Sequence, residues 1–291
     1  MAERDIASRN GAARDGTAPA RGSADPLSLT PLYGALAGLA AISLLLTAFP
    51  ALDLRFAALF HADGAFPASR LPGLVTLRLL GRDLVVLVCL ALLASLGAKL
   101  ARPLRPMPIR ASHIWFLFST LALGPGLIVN GVLKSFWGRP RPIQVDLFGG
   151  AAPFEPAWKI GGACLSNCSF VSGEAASAMW LLALAMLAPP RYRPALTGAI
   201  GALAFALSLN RTAFGGHFLS DVLIAWGITL VILLGLHRVL VAGPFSARID
   251  AATEGALAKI ALAAAFILGR IARGGPWDHR SNGLGRVDRS N

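Results

Sequence analysis

Three clusters of polar residues interrupt an otherwise apolar chain, and their residue types suit chemistry on an anion. In chain order they are Lys134 and Arg141, then Ser172, Gly173 and Glu174, and last Arg211, His217 and Asp221. Ammonium and guanidinium groups bind anionic oxygens, the guanidinium in bidentate fashion. Histidine and carboxylate side chains can transfer protons or act as nucleophiles. The residue types therefore predict an anion site with acid–base or nucleophilic groups beside it.

Long apolar runs separate these clusters and must position them. Of the 291 residues, 55% are hydrophobic and only 14% are charged, whereas a soluble domain carries about 25% charged residues. With about twenty apolar residues per span, we expect six transmembrane helices near residues 32–49, 84–100, 114–133, 170–188, 195–209 and 218–240. The predicted fold class is an all-α integral membrane protein.

The distribution of arginine predicts how these spans are oriented. Loops 101–113 and 189–194 are rich in arginine, whereas Lys159 is the only lysine or arginine in loop 143–169. Because basic loops stay in the cytoplasm, we expect both termini inside and all three polar clusters at the outer face. The first outer loop is an exception, since it contains Arg55, Arg70, Arg78 and Arg82. On the outer side, Lys134 and Arg141 are not cytoplasmic anchors and need an anionic partner.

The chain divides into four segments by composition. Residues 1–31 are predicted to be a polar, disordered cytoplasmic segment, and residues 32–240 the membrane domain. Apolar residues recur at helical spacing in residues 241–273, which predicts an amphipathic helix on the inner membrane surface; a seventh span is the alternative. Residues 274–291 are predicted to be a disordered tail.

Two of the clusters resemble motifs of the type 2 phosphatidic acid phosphatase (PAP2) family, whose site is shared with vanadium haloperoxidases. Lys134, Arg141 and Pro142 match the family's K-x6-R-P motif. The S-R-x5-H-x3-D motif is matched at Arg211, His217 and Asp221, with Asn210 in place of its serine.

The remaining P-S-G-H motif is matched by half. Ser172 and Gly173 fit, while Val171 replaces the proline and Glu174 replaces the histidine. The resemblance covers the order and spacing of the motifs from about residue 32 to residue 240. Motif matches support a function when the motifs also lie where the expected structure requires them, here at one face of the membrane.

The resemblance implies a role for each matched residue. His217 would be the nucleophile that forms a phosphohistidine, and Asp221, four residues later on one helix face, would hold its tautomer. The phosphate would be bound by Lys134, Arg141, Ser172, Gly173 and Arg211. Glu174 would be either the general acid, in place of the family's histidine, or a contact to the substrate. Neither a metal nor another cofactor is implied.

Cys164 and Cys168 share the predicted outer loop. An oxidising compartment permits a disulfide there, and the small ring would brace the approach to Ser172. Two free thiols are the alternative.

The predicted function is hydrolysis of a phosphate monoester of a lipid at the bacterial inner membrane, with the site facing the periplasm. Candidate substrates are phosphatidate, phosphatidylglycerophosphate, undecaprenyl pyrophosphate and lipid A. The resemblance favours lipid A, on account of the glutamate variant, the outward-facing site and the cysteine-bearing loop. A lipid-binding or transport protein that kept the fold is the alternative from another class. A vanadium haloperoxidase is disfavoured, because known members are soluble. The net charge of +12 lies mainly at helix ends and in the tails, which suits anionic membrane lipids rather than nucleic acid.

Overall fold

The computed structural model describes residues 28–272. Within this part the regular secondary structure is helical, with no β-strand, which confirms the all-α class, and a long irregular segment lies between residues 137 and 172. The helices are α1 (Thr30–Ala48), α2 (Ala51–Ala58), α3 (Pro72–Ala101), α4 (Ala111–Phe136), α5 (Gly173–Leu187), α6 (Arg193–Ala213), α7 (Leu219–Ala242) and α8 (Ser246–Ala272). The predicted disorder of residues 1–27 and 274–291 lies outside the described residues, whereas Thr30 already belongs to α1.

Five helices in residues 28–272 are long and apolar enough to cross a membrane, namely α1, α3, α4, α7 and α8. The first four correspond to predicted spans. The predicted spans 170–188 and 195–209 also form helices, but α5 has fewer than 18 residues and α6 is not among the five. The chain is an integral membrane protein, while the number of six spans and the orientation remain predictions.

The tail helix α8 is more apolar than the sequence pattern indicated. Its most apolar window has a mean hydropathy of 1.6, and the helix is long enough to cross a membrane, as the alternative of a seventh span requires. The first turns pack on the C-terminal end of α3 and on the start of α4. There Asp250 accepts hydrogen bonds from Arg110 Nη2 at 2.8 Å and from the Ser112 backbone N–H at 2.7 Å. The placement of α8 on the inner surface stays a prediction.

Helix α3 also begins earlier than predicted. Its first residue is Pro72, a residue that suits the first turn of a helix because it needs no hydrogen-bond donor there. The first turns of α3 are polar because they contain Arg78, Arg82 and Asp83. A criterion based on runs of apolar residues therefore did not include these turns in the predicted span. Arg78 and Arg82 therefore lie on a helix beside the site and not in an outer loop.

Packing around α7 brings the ends of the other helices together. Helix α7 contacts α1, α4 and α5, and α5 also packs against α6. In the core, the fully buried Trp180 of α5 donates its indole N–H to Thr120 Oγ1 of α4 at 3.0 Å. A buried indole with its polar group satisfied contributes large apolar contact without a desolvation penalty. This contact fixes α5 to α4, and the C-terminal end of α4 and the N-terminal end of α5 carry site residues.

The C-terminal half of α4 is widened into π-helical turns over Ala122–Leu133, which contain Pro125. Proline removes a backbone donor and crowds the preceding turn, and such wide turns are frequent at functional sites. Asn130 Nδ2 donates to the Pro125 carbonyl at 2.6 Å, so a side chain satisfies the disrupted turn. The widened segment leads directly into Lys134.

Candidate active site

His217 is the centre of the site and is 1% exposed. Its Nδ1 lies 2.8 Å from the backbone carbonyl oxygen of Ser169. Because a carbonyl can only accept a hydrogen bond, Nδ1 carries the proton and Nε2 is left with its lone pair. Burial lowers the pKa of His217, and the positive charges of Arg211 and Lys134 act in the same direction against the carboxylate of Asp221. The ring is thus a neutral imidazole suited to nucleophilic attack through Nε2.

The lowered pKa gives a direct prediction for the ligand-free protein. In an NMR titration of protein labelled in histidine, the His217 ring should gain its second proton below about pH 6.5, the ordinary value for histidine. The His217→Asn spectrum assigns the signal. A His217 pKa above 6.5 would contradict the buried, neutral ring.

Asp221 supports His217 differently from the predicted arrangement. Helix α7 begins at Leu219, so His217 precedes the helix and the two residues do not share a helix face. Asp221 Oδ2 is 3.9 Å from His217 Nδ1, which is too long for a hydrogen bond. That oxygen instead accepts hydrogen bonds from Ser169 Oγ and from the Phe218 backbone N–H. Asp221 therefore acts through Ser169, whose carbonyl holds the imidazole.

Asp221 also belongs to a fully buried ionic network with Arg139 and Asp53. Arg139 Nη1 donates to Asp221 Oδ1 at 2.7 Å, and Arg139 Nη2 donates to Asp53 Oδ2 at 2.8 Å. Asp53, on α2, also accepts from the backbone N–H and the hydroxyl of Ser220. Buried charges persist in proteins when they are paired and hydrogen-bonded, as here. Neither Arg139 nor Asp53 was predicted as a site residue, although a lone acid in the apolar α2 could have indicated Asp53.

The three predicted phosphate-binding cations converge on this centre. Lys134, Arg141 and Arg211 lie within electrostatic range of one another. Arg211 is 5% exposed, and Gly216 allows its close approach, because a Cβ there would lie 2.6 Å from Arg211 Nη2. Burial also lowers the pKa of Arg141, but a guanidinium stays charged at neutral pH. The arrangement concentrates positive charge beside His217.

Glu174 bridges two of the arginines near the site. Arg78, from α3, donates through Nε at 3.1 Å and through Nη2 at 3.0 Å to Glu174 Oε1. The other carboxylate oxygen, Oε2, lies 3.0 Å from Arg211 Nε. Arg78 was not predicted as a site residue, because no motif contains it. The residue that departs from the family motif is therefore the counter-ion of a motif arginine.

Ser172 and Gly173 have structural roles that the sequence did not specify. Ser172 Oγ accepts from the Ala175 backbone N–H at 3.2 Å and so caps α5, while the Ser172 backbone N–H donates to the Asp221 carbonyl at 3.1 Å. At Gly173, a Cβ would lie 2.6 Å from Asn130 Oδ1. Glycine is thus required for α5 to pack this closely against the widened turns of α4.

A cavity of about 480 Å³ opens beside Glu174. Its polar wall consists of Arg78, Arg82, Asn130, Lys134, Gly173 and Glu174, and its apolar wall includes Val85, Val86 and Leu207. Cavities of this size with a few convergent polar groups are typical of ligand sites. This one can take a polar headgroup next to apolar chains. Among residues 28–272, no three His, Cys, Asp or Glu side chains are grouped to hold a metal ion.

Comparison with known proteins agrees with this geometry. Residues 113–243 match the family model for the PAP2 superfamily. This segment is a PAP2 domain. It contains the three motif clusters together with Arg139 and Ser169, and the predicted resemblance is confirmed. Asp53 and Arg78 contact the PAP2 domain from helices that precede it.

Three curated bacterial proteins are similar to part of this chain. The chain is 48% identical over 127 residues to a lipid A 4'-phosphatase of Rhizobium leguminosarum, covering 44% of this chain and 54% of the relative. A lipid A 4'-phosphatase of Rhizobium etli is 46% identical over 127 residues, with 44% and 49% covered. One from Francisella tularensis subsp. novicida is 43% identical over 110 residues, with 38% and 50% covered. The chain spans about half the length of the curated relatives it matches, and no solved structure matches it.

Proposed function

We propose that this protein is a membrane lipid phosphatase that removes a phosphate from lipid A at the periplasmic face of the bacterial inner membrane. The observation that carries the proposal is the buried His217, held by Ser169 with Nε2 unprotonated and with the positive charges of Arg211 and Lys134 nearby. The similarity to lipid A 4'-phosphatases supports the choice of lipid and suggests the 4' phosphate.

In the first step, Lys134, Arg141 and Arg211 bind the non-bridging phosphate oxygens, and His217 Nε2 attacks phosphorus. The P–O bond to the lipid breaks, and the departing oxygen takes a proton from Glu174. The positively charged phosphohistidine is stabilised because its Nδ1–H still donates to the Ser169 carbonyl. Positioning and charge stabilisation of this kind account for most of the catalysis in phosphoryl transfer.

In the second step, water attacks the phosphohistidine, and the Glu174 carboxylate accepts the proton of the water. The P–N bond breaks, and inorganic phosphate leaves while His217 returns to its neutral form. An incoming phosphate competes with Glu174 for Arg211, because the two bind the same guanidinium. The proton balance of the first step requires the neutral acid form of Glu174 when the P–O bond breaks.

The acid role of Glu174 predicts a dependence on the leaving group. Glu174→Gln should slow hydrolysis of a sugar phosphate by about 10²- to 10⁴-fold, the usual contribution of a general acid. Hydrolysis of a p-nitrophenyl ester should slow much less, because that group leaves without a proton. The measurement is kcat for both substrates in purified protein.

Two further variants keep this test interpretable. Arg78→Met removes the other partner of Glu174 and should leave the ratio of the two rates near that of wild type. Equal losses with both leaving groups in Glu174→Gln would assign Glu174 to substrate binding and exclude the acid role.

The substrate is tested by mass spectrometry of lipid A from cells with and without the protein. Loss of a single 4' phosphate that depends on His217 supports the proposal. A non-catalytic lipid-binding protein is the second candidate, because the ion-paired Glu174 replaces the family's acid. Saturable lipid A binding by purified protein, without phosphate release from any lipid, would favour that candidate.

A further inference from the structure

We infer that Asn167 is a positioning residue for Arg141, and that the disulfide between Cys164 and Cys168 holds Asn167 in place for this role. We call residues 164–168 the cystine loop. The inference rests on the proposed function, since Arg141 is a phosphate ligand only in that reaction. It adds a residue and a covalent bond that lie outside the family motifs.

The contact between Asn167 and Arg141 is extensive. The Asn167 carbonyl oxygen accepts from Arg141 Nε at 3.1 Å and from Nη2 at 2.8 Å, and Asn167 Oδ1 accepts from Nη2 at 2.8 Å. The backbone of Asn167 is left-handed, with φ at 51°, a conformation that asparagine tolerates better than most residues. One residue thus presents both of its oxygens to one guanidinium.

The acceptors are uncharged, which suits a ligand-binding cation. Arg139 is neutralised by two carboxylates and serves as a structural ion. Arg141 is oriented by a carbonyl and an amide, which leave its full positive charge to act on phosphate. The hydrogen bonds that its side chain makes within the described residues use Nε and Nη2, so Nη1 remains to donate to a phosphate oxygen.

The cystine loop is held against the segment that carries Arg141. The Cys164–Cys168 disulfide closes the loop, with Cα atoms 5.7 Å apart. The Cys164 backbone N–H donates to the Gly138 carbonyl at 3.0 Å, and the Ser169 backbone N–H donates to the Arg139 carbonyl at 2.8 Å. Closing a short loop removes conformations that would separate Asn167 from Arg141.

The same loop ends at the residue that holds the nucleophile. Ser169 directly follows Cys168, and its carbonyl is the hydrogen-bond partner of His217 Nδ1. One short segment therefore sets the position of a phosphate-binding cation and of the attacking nitrogen. Displacements of about 1 Å in such a pair cost about 10²-fold in rate, so opening the loop should slow the reaction without removing any reacting group.

The first experiment is a double-variant cycle in full-length protein. Asn167→Gly keeps the left-handed backbone and the carbonyl but lacks Oδ1. It should lower kcat about tenfold, the loss expected for one hydrogen bond to a charged group, at an unchanged melting temperature. In an Arg141→Lys background, Asn167→Gly should have little further effect on kcat, because lysine lacks the guanidinium group to which Asn167 is hydrogen-bonded. Equal losses in both backgrounds, or no loss in either, would overturn the inference.

The second experiment opens the ring. The double variant Cys164→Ser/Cys168→Ser should lose activity to about the level of reduced wild-type protein, and reductant should not change the variant further. Cys89→Ser removes the remaining free cysteine of residues 28–272 and should respond to reductant as wild type does. Full activity in the serine double variant would exclude the role of the disulfide.

Binding of inorganic vanadate, a phosphate analogue, separates this inference from the proposed function because it needs no turnover. Wild-type protein that binds vanadate but hydrolyses no lipid would contradict the function alone. The positioning role predicts that Asn167→Gly binds vanadate about tenfold more weakly than wild type. It also predicts that Asn167→Gly does not change the affinity for vanadate in the Arg141→Lys background. Equal affinity of wild type and Asn167→Gly, or no binding by wild type, would overturn it.

Discussion

His217→Ala should abolish phosphate release while the protein stays folded in the membrane. The variant removes the atom that attacks phosphorus in the first step of the proposed reaction, and loss of a nucleophile typically costs on the order of 10⁴- to 10⁶-fold in kcat. The remaining cations still bind the substrate, so lipid A should bind with similar affinity. The measurement is phosphate release from lipid A by purified protein, with helicity checked by circular dichroism.

A second histidine provides the matched control. His61 lies beside the rings of Phe66 and Phe148 and belongs to no motif. His61→Ala should therefore keep most of the activity. Phosphate release near the wild-type rate from a well-folded His217→Ala protein would refute the phosphohistidine mechanism.

The largest effect on stability is expected at Asp53. Asp53→Ala leaves Arg139, which is fully buried, with one of its two carboxylates missing. Breaking a buried ion pair on one side costs about 3–5 kcal/mol of unfolding free energy. The loss of stability should appear as a lowered melting temperature and denaturation midpoint in detergent, together with lower activity through a displaced Asp221.

Two variants distinguish the buried network from a general effect of removing charge. Asp83 pairs with Arg82 at the surface, with side chains 59% and 67% exposed, so Asp83→Ala should cost about 1 kcal/mol or less. Replacing both buried partners, Asp53→Leu with Arg139→Met, should restore much of the stability but not the activity. An Asp53→Ala protein as stable as Asp83→Ala would show that the network does not stabilise the fold.

Motif spacing predicted most of the residues that surround His217, but not the contacts among them. The four-residue spacing of His217 and Asp221 suggested a shared helix face, yet α7 begins at Leu219. The carbonyl of Ser169 holds the ring instead. A backbone carbonyl has no residue type to search for, so no pattern of side chains could have identified it.

The missed residues share a different physical cause. Asp53 and Arg78 come from helices before the PAP2 domain and reach the site only through tertiary packing. Asn167 depends on a left-handed backbone within a loop. The membrane class, by contrast, was predictable because hydrophobicity acts over whole helices.

The bridge from Glu174 to Arg211 implies that this protein binds phosphate in competition with its own carboxylate. In the proposed reaction, substrate and product phosphate must each displace that carboxylate from the guanidinium. Lipid A can offset this cost by placing further groups in the adjoining cavity, but free phosphate has none to place. Return of Glu174 to Arg211 would therefore eject inorganic phosphate, so we expect weak product inhibition by inorganic phosphate.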